Sequence, residues 1–241
     1  HDLIEYRDNL KRLKRIGFNW VRFHTWVPPK EYLQAADEIG LLVQIEPPVN
    51  SSDEEWGEII KACRIHPSVI VYCVGNEATL DDAKIEQVKR WARIQKEISP
   101  DALFSPQEAL HGVQGGNLGN DITNEPFPHN HKRLATLQEF SNVFEPYDGD
   151  LSHGTMHGKW REMEKRFAIF KRPLFVHEIG IHGGYLDIGL EHRYDGTRIG
   201  PELFTATRLH LAENNLLHKA ALYYQNACAH MRIQRKYAVE N

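Results

Sequence analysis

The sequence predicts an α/β protein with a parallel sheet. Helix-period and strand-like segments alternate along the 241 residues, and this alternation indicates parallel strands joined by right-handed crossovers. Two predicted strands, LLVQIE (41–46) and VIVYCV (69–74), are nearly continuous apolar runs, as expected of a sheet covered on both faces. Polar side chains recur where the predicted strands end. An open doubly wound sheet and a closed (β/α)8 barrel both satisfy this pattern.

Proline, glycine and capping residues set the boundaries of the elements in the first half of the chain. The first helix ends before Gly17, and the second begins at a proline and ends at Gly40, as is typical of helix termini. Ser52 is the expected N-cap of the third helix. The predicted elements in chain order are a helix over 4–16, a strand over 19–24, a helix over 29–39, a strand over 41–46, a helix over 53–64, a strand over 69–74, a helix over 81–98 and a strand over 102–106.

The second half carries weaker signals. A weak strand is predicted over 148–153, a helix over 157–170, a clear strand over 173–177 (PLFVH) and mostly helix from about residue 201. This gives about six strands rather than eight, and the chain begins and ends within helices. We therefore expect residues 1–241 to form a single domain that lacks the first and last strands of a barrel, as a fragment of a longer multidomain protein.

The residues at the strand ends favour the barrel over the open sheet. In a barrel the carboxyl ends of all strands meet at one mouth, whereas in an open sheet they spread along an edge. We expect the polar groups at these ends to converge on one site. They are Arg22, His24, Glu46, Asn76, Glu77, Glu108, His153 and Glu178.

Composition excludes several classes of function. The net charge of −4 argues against binding to nucleic acid, which favours basic surfaces. No apolar run approaches the ~18 residues of a membrane helix, and the charged N-terminal segment is not a signal peptide, so the compartment stays open. The motif from His177 to His182, H-E-x-x-x-H, is one residue longer than the helical zinc motif. Neither a metal nor another cofactor is expected.

Two glutamates at strand ends suggest acid–base chemistry. Glu77 follows Gly75 and Asn76 after the apolar strand, and Glu178 ends the segment KRPLFVHE. Two carboxyl groups that face one cleft suit the cleavage of a glycosidic bond, because one must be protonated and the other ionised. A single glutamate after a strand is more often a helix cap or a surface ion pair. The proposal therefore depends on the two carboxyl groups meeting across a barrel mouth.

Three segments carry a resemblance to a known family. GFNWVRFHTWVPPKEYLQAADEIGLLVQIEPP (17–48), HPSVIVYCVGNE (66–77) and KRPLFVHEIG (171–180) resemble, in order, motifs of glycoside hydrolase family 2. The resemblance implies a barrel catalytic domain that hydrolyses β-glycosides with retention of configuration and without a cofactor. It also implies β-sandwich domains elsewhere in the full-length protein.

The resemblance implies a role for each matching residue. Glu77 is the expected general acid/base, Glu178 the nucleophile, and Asn76 the partner of the sugar 2-hydroxyl. Arg22 is expected beside the nucleophile, where a cation lowers the pKa of a carboxyl group. His24 and Glu46 are expected to line the sugar pocket.

Four other residues are expected to contact the sugar because of their side-chain type or their position after a strand. Trp26 and Tyr185 can stack on the apolar face of a pyranose, and Glu108 and His153 follow predicted strands. The segment LSHGTMHG (151–158) lacks a tyrosine that the family often carries there. The Asn-x-Lys-Gly motif of glucuronidase members is absent, which argues against glucuronic acid. A galactoside is the first expectation, on family frequency.

Two other functions fit the same pattern. A noncatalytic carbohydrate-binding barrel would keep the polar and aromatic mouth but tolerate loss of either glutamate. A metal-dependent barrel hydrolase would lose activity with a chelator. The expected partner of the glycosidase is an oligosaccharide or glycoside substrate, and neither nucleic acid nor a membrane is expected.

Overall fold

The computed structural model describes residues 2–76, 80–107, 133–145, 168, 170–175 and 185–240. They belong to two units, which are described separately. The first unit contains a parallel four-stranded sheet whose strands lie in sequence order. The strands are β1 (Trp20–Arg22), β2 (Leu42–Ile45), β3 (Val69–Cys73) and β4 (Leu103–Ser105).

Capping residues fix the helices of the first unit. Ser52 accepts a hydrogen bond from the Glu55 N–H, and the Glu55 carboxylate accepts one from the Ser52 N–H, which is a capping box. Another helix ends at Gly40, whose φ of +70° is left-handed and favours glycine. The helices are α1 (Leu3–Arg15), α2 (Lys30–Ile39), α3 (Asp53–Cys63) and α4 (Asp82–Ile98).

The outer face of the sheet is apolar and packs against the helices. Tyr72 of β3 meets Trp56 of α3 edge to face, with 6.1 Å between ring centroids. Trp56 stacks on Trp91 of α4 at 4.7 Å. The Trp56 indole N–H donates to the Trp91 carbonyl oxygen at 3.0 Å, so this buried donor is satisfied. These contacts join α3 and α4 in one layer over β3.

The inner face of the sheet carries polar side chains. Gln44 and Glu46 alternate with the apolar residues of β2, because successive side chains point to opposite faces. Both are buried, as is Ser105 at the end of β4. Gln44 Nε2 donates to Glu145 Oε2 at 2.8 Å. The segment that carries Glu145 lies next to β4, where the Asn142 N–H donates to the Phe104 carbonyl oxygen at 3.0 Å.

These contacts require a curved sheet. Because β3 and β4 separate β2 from residue 145 along the sheet, the Gln44–Glu145 hydrogen bond must cross the concave side. Phe144 forms a parallel bridge with Leu174, and the Phe175 ring meets Trp20 of β1 at 4.4 Å between centroids. The described ranges thus contain part of a curved parallel α/β sheet, as a barrel requires, but they do not contain eight strands.

The second unit is helical where it is described. It contains a 3-10 helix over Ile188–Tyr194, a short 3-10 turn over Leu217–Lys219, α5 (Glu202–Glu213) and α6 (Ala220–Glu240). Glu191 accepts a hydrogen bond from Arg208 of α5 at 2.7 Å. This agrees with the predicted helical character after residue 201. None of the described helices is long and apolar enough to cross a membrane.

The eight elements predicted before residue 107 are confirmed, each with boundaries within two residues of those expected. The segment 143–145, in which Phe144 pairs with Leu174, was not predicted from the sequence. Within the predicted strand over 173–177, residues 173–175 are described and contain that single bridge. The predicted strand over 148–153 and nearly all of the predicted helix over 157–170 lie outside the described residues.

Candidate active site

Arg22 is the centre of a polar network at the carboxyl ends of β1, β2 and β3. Its Nε donates to Glu46 Oε1 at 2.6 Å, and its Nη2 donates to Asn76 Oδ1 at 2.7 Å. The same Nη2 lies 2.9 Å from His24 Nδ1. The parallel strands end at one edge, so residues that follow their apolar runs meet there. The structure therefore brings together four of the predicted site residues.

Glu46 is fully buried beneath this network. Burial raises the pKa of Glu46, while the Arg22 guanidinium and the Thr25 N–H, at 2.9 Å, act in the opposite direction. Thr25 has a φ of +55°, which is uncommon for a β-branched residue. This backbone conformation accompanies the hydrogen bond to Glu46, and strain of this kind concentrates at functional sites. In contrast, the His24 side chain is 57% exposed, so it is the most exposed member of the network.

Glu145 is a second buried carboxyl group, and it is not among the predicted site residues. Gln44 Nε2 donates to it and lies 3.4 Å from Glu46 Oε1, so one amide bridges two carboxyl groups. Burial raises the pKa of Glu145 to about 7, and the charge of Glu46 acts in the same direction. One signal could have found it: NVFEP (142–146) repeats the order of apolar residues, glutamate and proline in LVQIEP (42–47).

We expect the deprotonation of the Glu145 carboxyl group alone to lower the free energy of unfolding by about 3 kcal/mol as the pH rises from about 4.5 to beyond 7. Its folded-state pKa is raised, so its contribution is fully present below the unfolded-state pKa and is lost as the pH rises through 7. Glu145→Gln removes this pH dependence. Urea unfolding of both proteins at pH 5 and pH 8 measures it. Glu139→Gln, at an exposed carboxyl, is the control, and equal pH dependence in wild type and Glu145→Gln would contradict the prediction.

A cleft of about 590 Å³ opens beside Asn76. Its walls are the connection 47–51 after β2, the end of β3 and the first turns of α4, with Thr25 at the rim. Gly75 lies in this wall with a φ of +151°, a conformation that residues with a side chain rarely adopt. Among the described residues other than its two chain neighbours, no atom lies within 4 Å of a Cβ built at this position. The backbone conformation, not space, therefore favours glycine immediately before Asn76.

Two other predicted sugar contacts, Trp26 and Tyr185, are described within their own units. Trp26 is 48% exposed and packs edge to face on Phe23, with 5.5 Å between centroids. In the second unit Tyr185 is 52% exposed and stacks on Tyr223 at 4.8 Å. Their contacts with a sugar stay predictions. Four further predicted site residues lie outside the described residues, namely Glu77, Glu108, His153 and Glu178.

The donors and acceptors of the network suit a polyhydroxylated ligand. A guanidinium, an amide, an imidazole and a buried carboxylate provide both donors and acceptors at fixed positions. In the part of the chain that the structure describes, no group of three or more His, Cys, Asp or Glu side chains is arranged to hold a metal ion.

Comparisons with known proteins find similarity to proteins that are named as glycosidases. No protein-family model matches it. A curated Formosa agariphila protein named "Putative beta-glucuronidase" is 24% identical over 200 residues, which are 77% of this chain and 22% of that protein. The β-D-glucuronidase structure of Dictyoglomus thermophilum matches with a TM-score of 0.51 and 17% identity, over 78% of this chain and 35% of that one. A glycosyl hydrolase family 2 member from Bacteroides cellulosilyticus matches with a TM-score of 0.50 and 18% identity, over 73% and 21%.

The fold and the network define a parallel α/β protein with a polar site at the carboxyl ends of its strands. The solved structures share this fold over the matched part of the chain, and the Formosa agariphila protein is similar to the chain in sequence. The chain is similar in fold to a β-D-glucuronidase structure and to a glycosyl hydrolase family 2 member. It spans about a fifth to a third of the length of the relatives it matches.

Proposed function

We propose that this chain carries the catalytic site of a β-glycoside hydrolase. The Dictyoglomus thermophilum structure is named a β-D-glucuronidase and the Formosa agariphila protein a "Putative beta-glucuronidase", and β-glucuronidases are glycosidases. The observation that carries the proposal is the 2.7 Å hydrogen bond from Arg22 to Asn76 Oδ1. Because this contact uses the amide oxygen, the amide NH₂ is left as the group that donates to a ligand. Asn76 is thereby oriented to donate to a sugar hydroxyl.

The proposed mechanism uses two carboxyl groups and proceeds in two steps. Glu178 attacks the anomeric carbon while Glu77 donates a proton to the departing glycosidic oxygen. Glu77 then takes a proton from water, which displaces Glu178 and releases the sugar with its configuration retained. Asn76 immediately precedes Glu77 in the chain, so the residue that holds the sugar is bonded to the acid.

Arg22 keeps this site in one arrangement before substrate binds. Glu46 fixes the guanidinium from the buried side, and the guanidinium fixes Asn76. A polar group that is already oriented costs no reorganisation when charge develops in the transition state. The buried Arg22–Glu46 pair therefore supports catalysis by positioning Asn76, and Glu46 acts through Arg22.

A panel of para-nitrophenyl β-glycosides, assayed with the whole chain, tests the proposal. The names of the relatives favour a glucuronide, whereas the absent Asn-x-Lys-Gly motif argues against one. Family frequency alone favours a galactoside. We expect turnover of at least one of these two, with the β-anomer as the first product in proton NMR. An α-anomer as first product would contradict the retaining mechanism.

The same panel separates the alternatives. Calorimetric binding of the glycosides without turnover of any of them would favour a noncatalytic carbohydrate-binding protein. Activity that is lost with a chelator and restored by a divalent cation would favour a metal-dependent hydrolase. The proposed enzyme is expected to keep its activity in EDTA, because both catalytic groups are carboxyl groups.

A further inference from the structure

Lys84 lies in the cleft beside Asn76 and differs from two other cations of α4, which form ion pairs. Lys89 pairs with Glu86 at 2.7 Å, and Arg90 pairs with Asp53 at 2.8 Å. Lys84 Nζ instead donates to the neutral Gln87 Oε1 at 2.9 Å. No carboxylate in the described part of the chain forms an ion pair with it.

The surroundings of Lys84 favour an anionic ligand. The side chain is half-buried, and its Nζ lies 5.7 Å from the centroid of the Trp91 ring. Burial lowers the pKa of Lys84, with the charge of Asp81 opposing, and Asp81 already accepts a hydrogen bond from the Lys84 N–H as the cap of α4. A partly desolvated ammonium with a neutral partner gains from a charged acceptor.

The position of the cleft indicates which part of a substrate would enter it. Asn76, the residue before the proposed acid Glu77, lines the cleft. The acid protonates the departing oxygen, so the leaving group lies next to the connection between β3 and α4. A volume of about 590 Å³ is within the range of small-molecule sites.

We propose that this cleft is a leaving-group subsite in which Lys84 binds an anionic group on the sugar next to the cleaved bond. The group is a carboxylate or a sulfate ester, whose oxygens accept from Nζ while Gln87 holds the ammonium in place. The inference rests on the proposed function and narrows its substrates to acidic oligosaccharides. Trp91 forms the wall below Lys84.

Matched leaving groups test the subsite. Glycosides of the sugar preferred in the panel are made with para-carboxyphenyl, para-sulfophenyl and neutral para-carbamoylphenyl groups. The ratio of kcat/KM for a charged to the neutral substrate is measured in each protein. We expect this ratio to fall about fivefold in Lys84→Met, because the intrinsic reactivity of each leaving group cancels between proteins. The charged substrate whose kcat/KM ratio falls more in Lys84→Met identifies the bound group as a carboxylate or a sulfate ester.

Two further variants separate charge from packing. Lys84→Arg restores the cation and is expected to restore the ratio. Lys96→Met removes an exposed cation of the same helix outside the cleft and is expected to leave the ratio unchanged. An equal ratio in wild type and Lys84→Met would overturn the inference, and so would an equal fall in Lys96→Met.

A binding measurement keeps this test independent of turnover. Calorimetry gives the Kd of the para-carboxyphenyl and para-carbamoylphenyl glycosides for wild type and Lys84→Met. If the chain hydrolyses none of the glycosides, the proposed function fails, whereas preferential loss of affinity for the acid in Lys84→Met still supports the subsite. Equal affinities in the two proteins, together with normal turnover, would overturn the subsite and leave the proposed function standing.

Discussion

Glu178→Ala is expected to lower kcat on the order of 10⁴-fold or more, because it removes the proposed nucleophile. Glu77→Ala is expected to lower it about 10²- to 10⁴-fold on substrates with poor leaving groups. The loss in the first step is smaller for nitrophenyl substrates, since nitrophenolate departs without a proton. Steady-state rates on both substrate types measure these effects. Glu125→Ala is the control, because Glu125 also follows an asparagine. Full activity in Glu178→Ala or in Glu77→Ala would exclude the proposed catalytic roles.

Added azide distinguishes the roles of the two glutamates. In Glu77→Ala, azide needs no general base to displace Glu178, so part of the rate returns and the product is the β-glycosyl azide. In Glu178→Ala, azide can occupy the opposite face of the sugar, where the nucleophile stood, and the expected product is the α-glycosyl azide. The anomeric configuration is determined by NMR. The same azide anomer from both variants would contradict the assigned roles.

Arg22→Met is expected to lower the free energy of unfolding by about 3–5 kcal/mol at pH 8. The substitution keeps an apolar stem but leaves the Glu46 carboxylate buried without its cation at 2.6 Å. Without Arg22 the folded-state pKa of Glu46 rises further, so the variant is destabilised increasingly as the pH rises. Urea unfolding at pH 5 and pH 8 measures both effects. A loss below about 1 kcal/mol at pH 8 would contradict a tightly coupled buried pair.

A second substitution separates stability from positioning. Arg22→Met combined with Glu46→Gln removes the unpaired charge and is expected to recover much of the stability. Activity is not expected to return, because Asn76 still lacks the donor that orients it. Recovery of both properties would mean that Arg22 serves only to balance Glu46.

The regular elements of the first unit were predictable because local signals agree. The apolar run before Glu46 and the capping box at Ser52 each involve residues only a few positions apart in the chain. The sequence alone therefore locates them. The left-handed Gly40 ends a helix for an equally local reason. Boundaries of this kind need no knowledge of the rest of the fold.

The buried carboxyl site was only partly predictable. Arg22, Glu46 and Asn76 were expected together because each follows a strand of a parallel sheet. Glu145 was missed because its strand-like segment is short and its partner Gln44 lies far away in the chain. The burial of Glu46 could not be deduced either, since it depends on how side chains from several strands fill the concave side.

The Gln44–Glu145 hydrogen bond has a consequence for the order of folding. It joins positions 101 residues apart, whereas each pair from β1 to β4 joins strands that follow each other in the chain. Closing a long loop costs more chain entropy than closing a short one, so contacts of this kind form late. We expect the sheet to assemble strand by strand, and loss of the Gln44 bond to accelerate unfolding more than it slows folding.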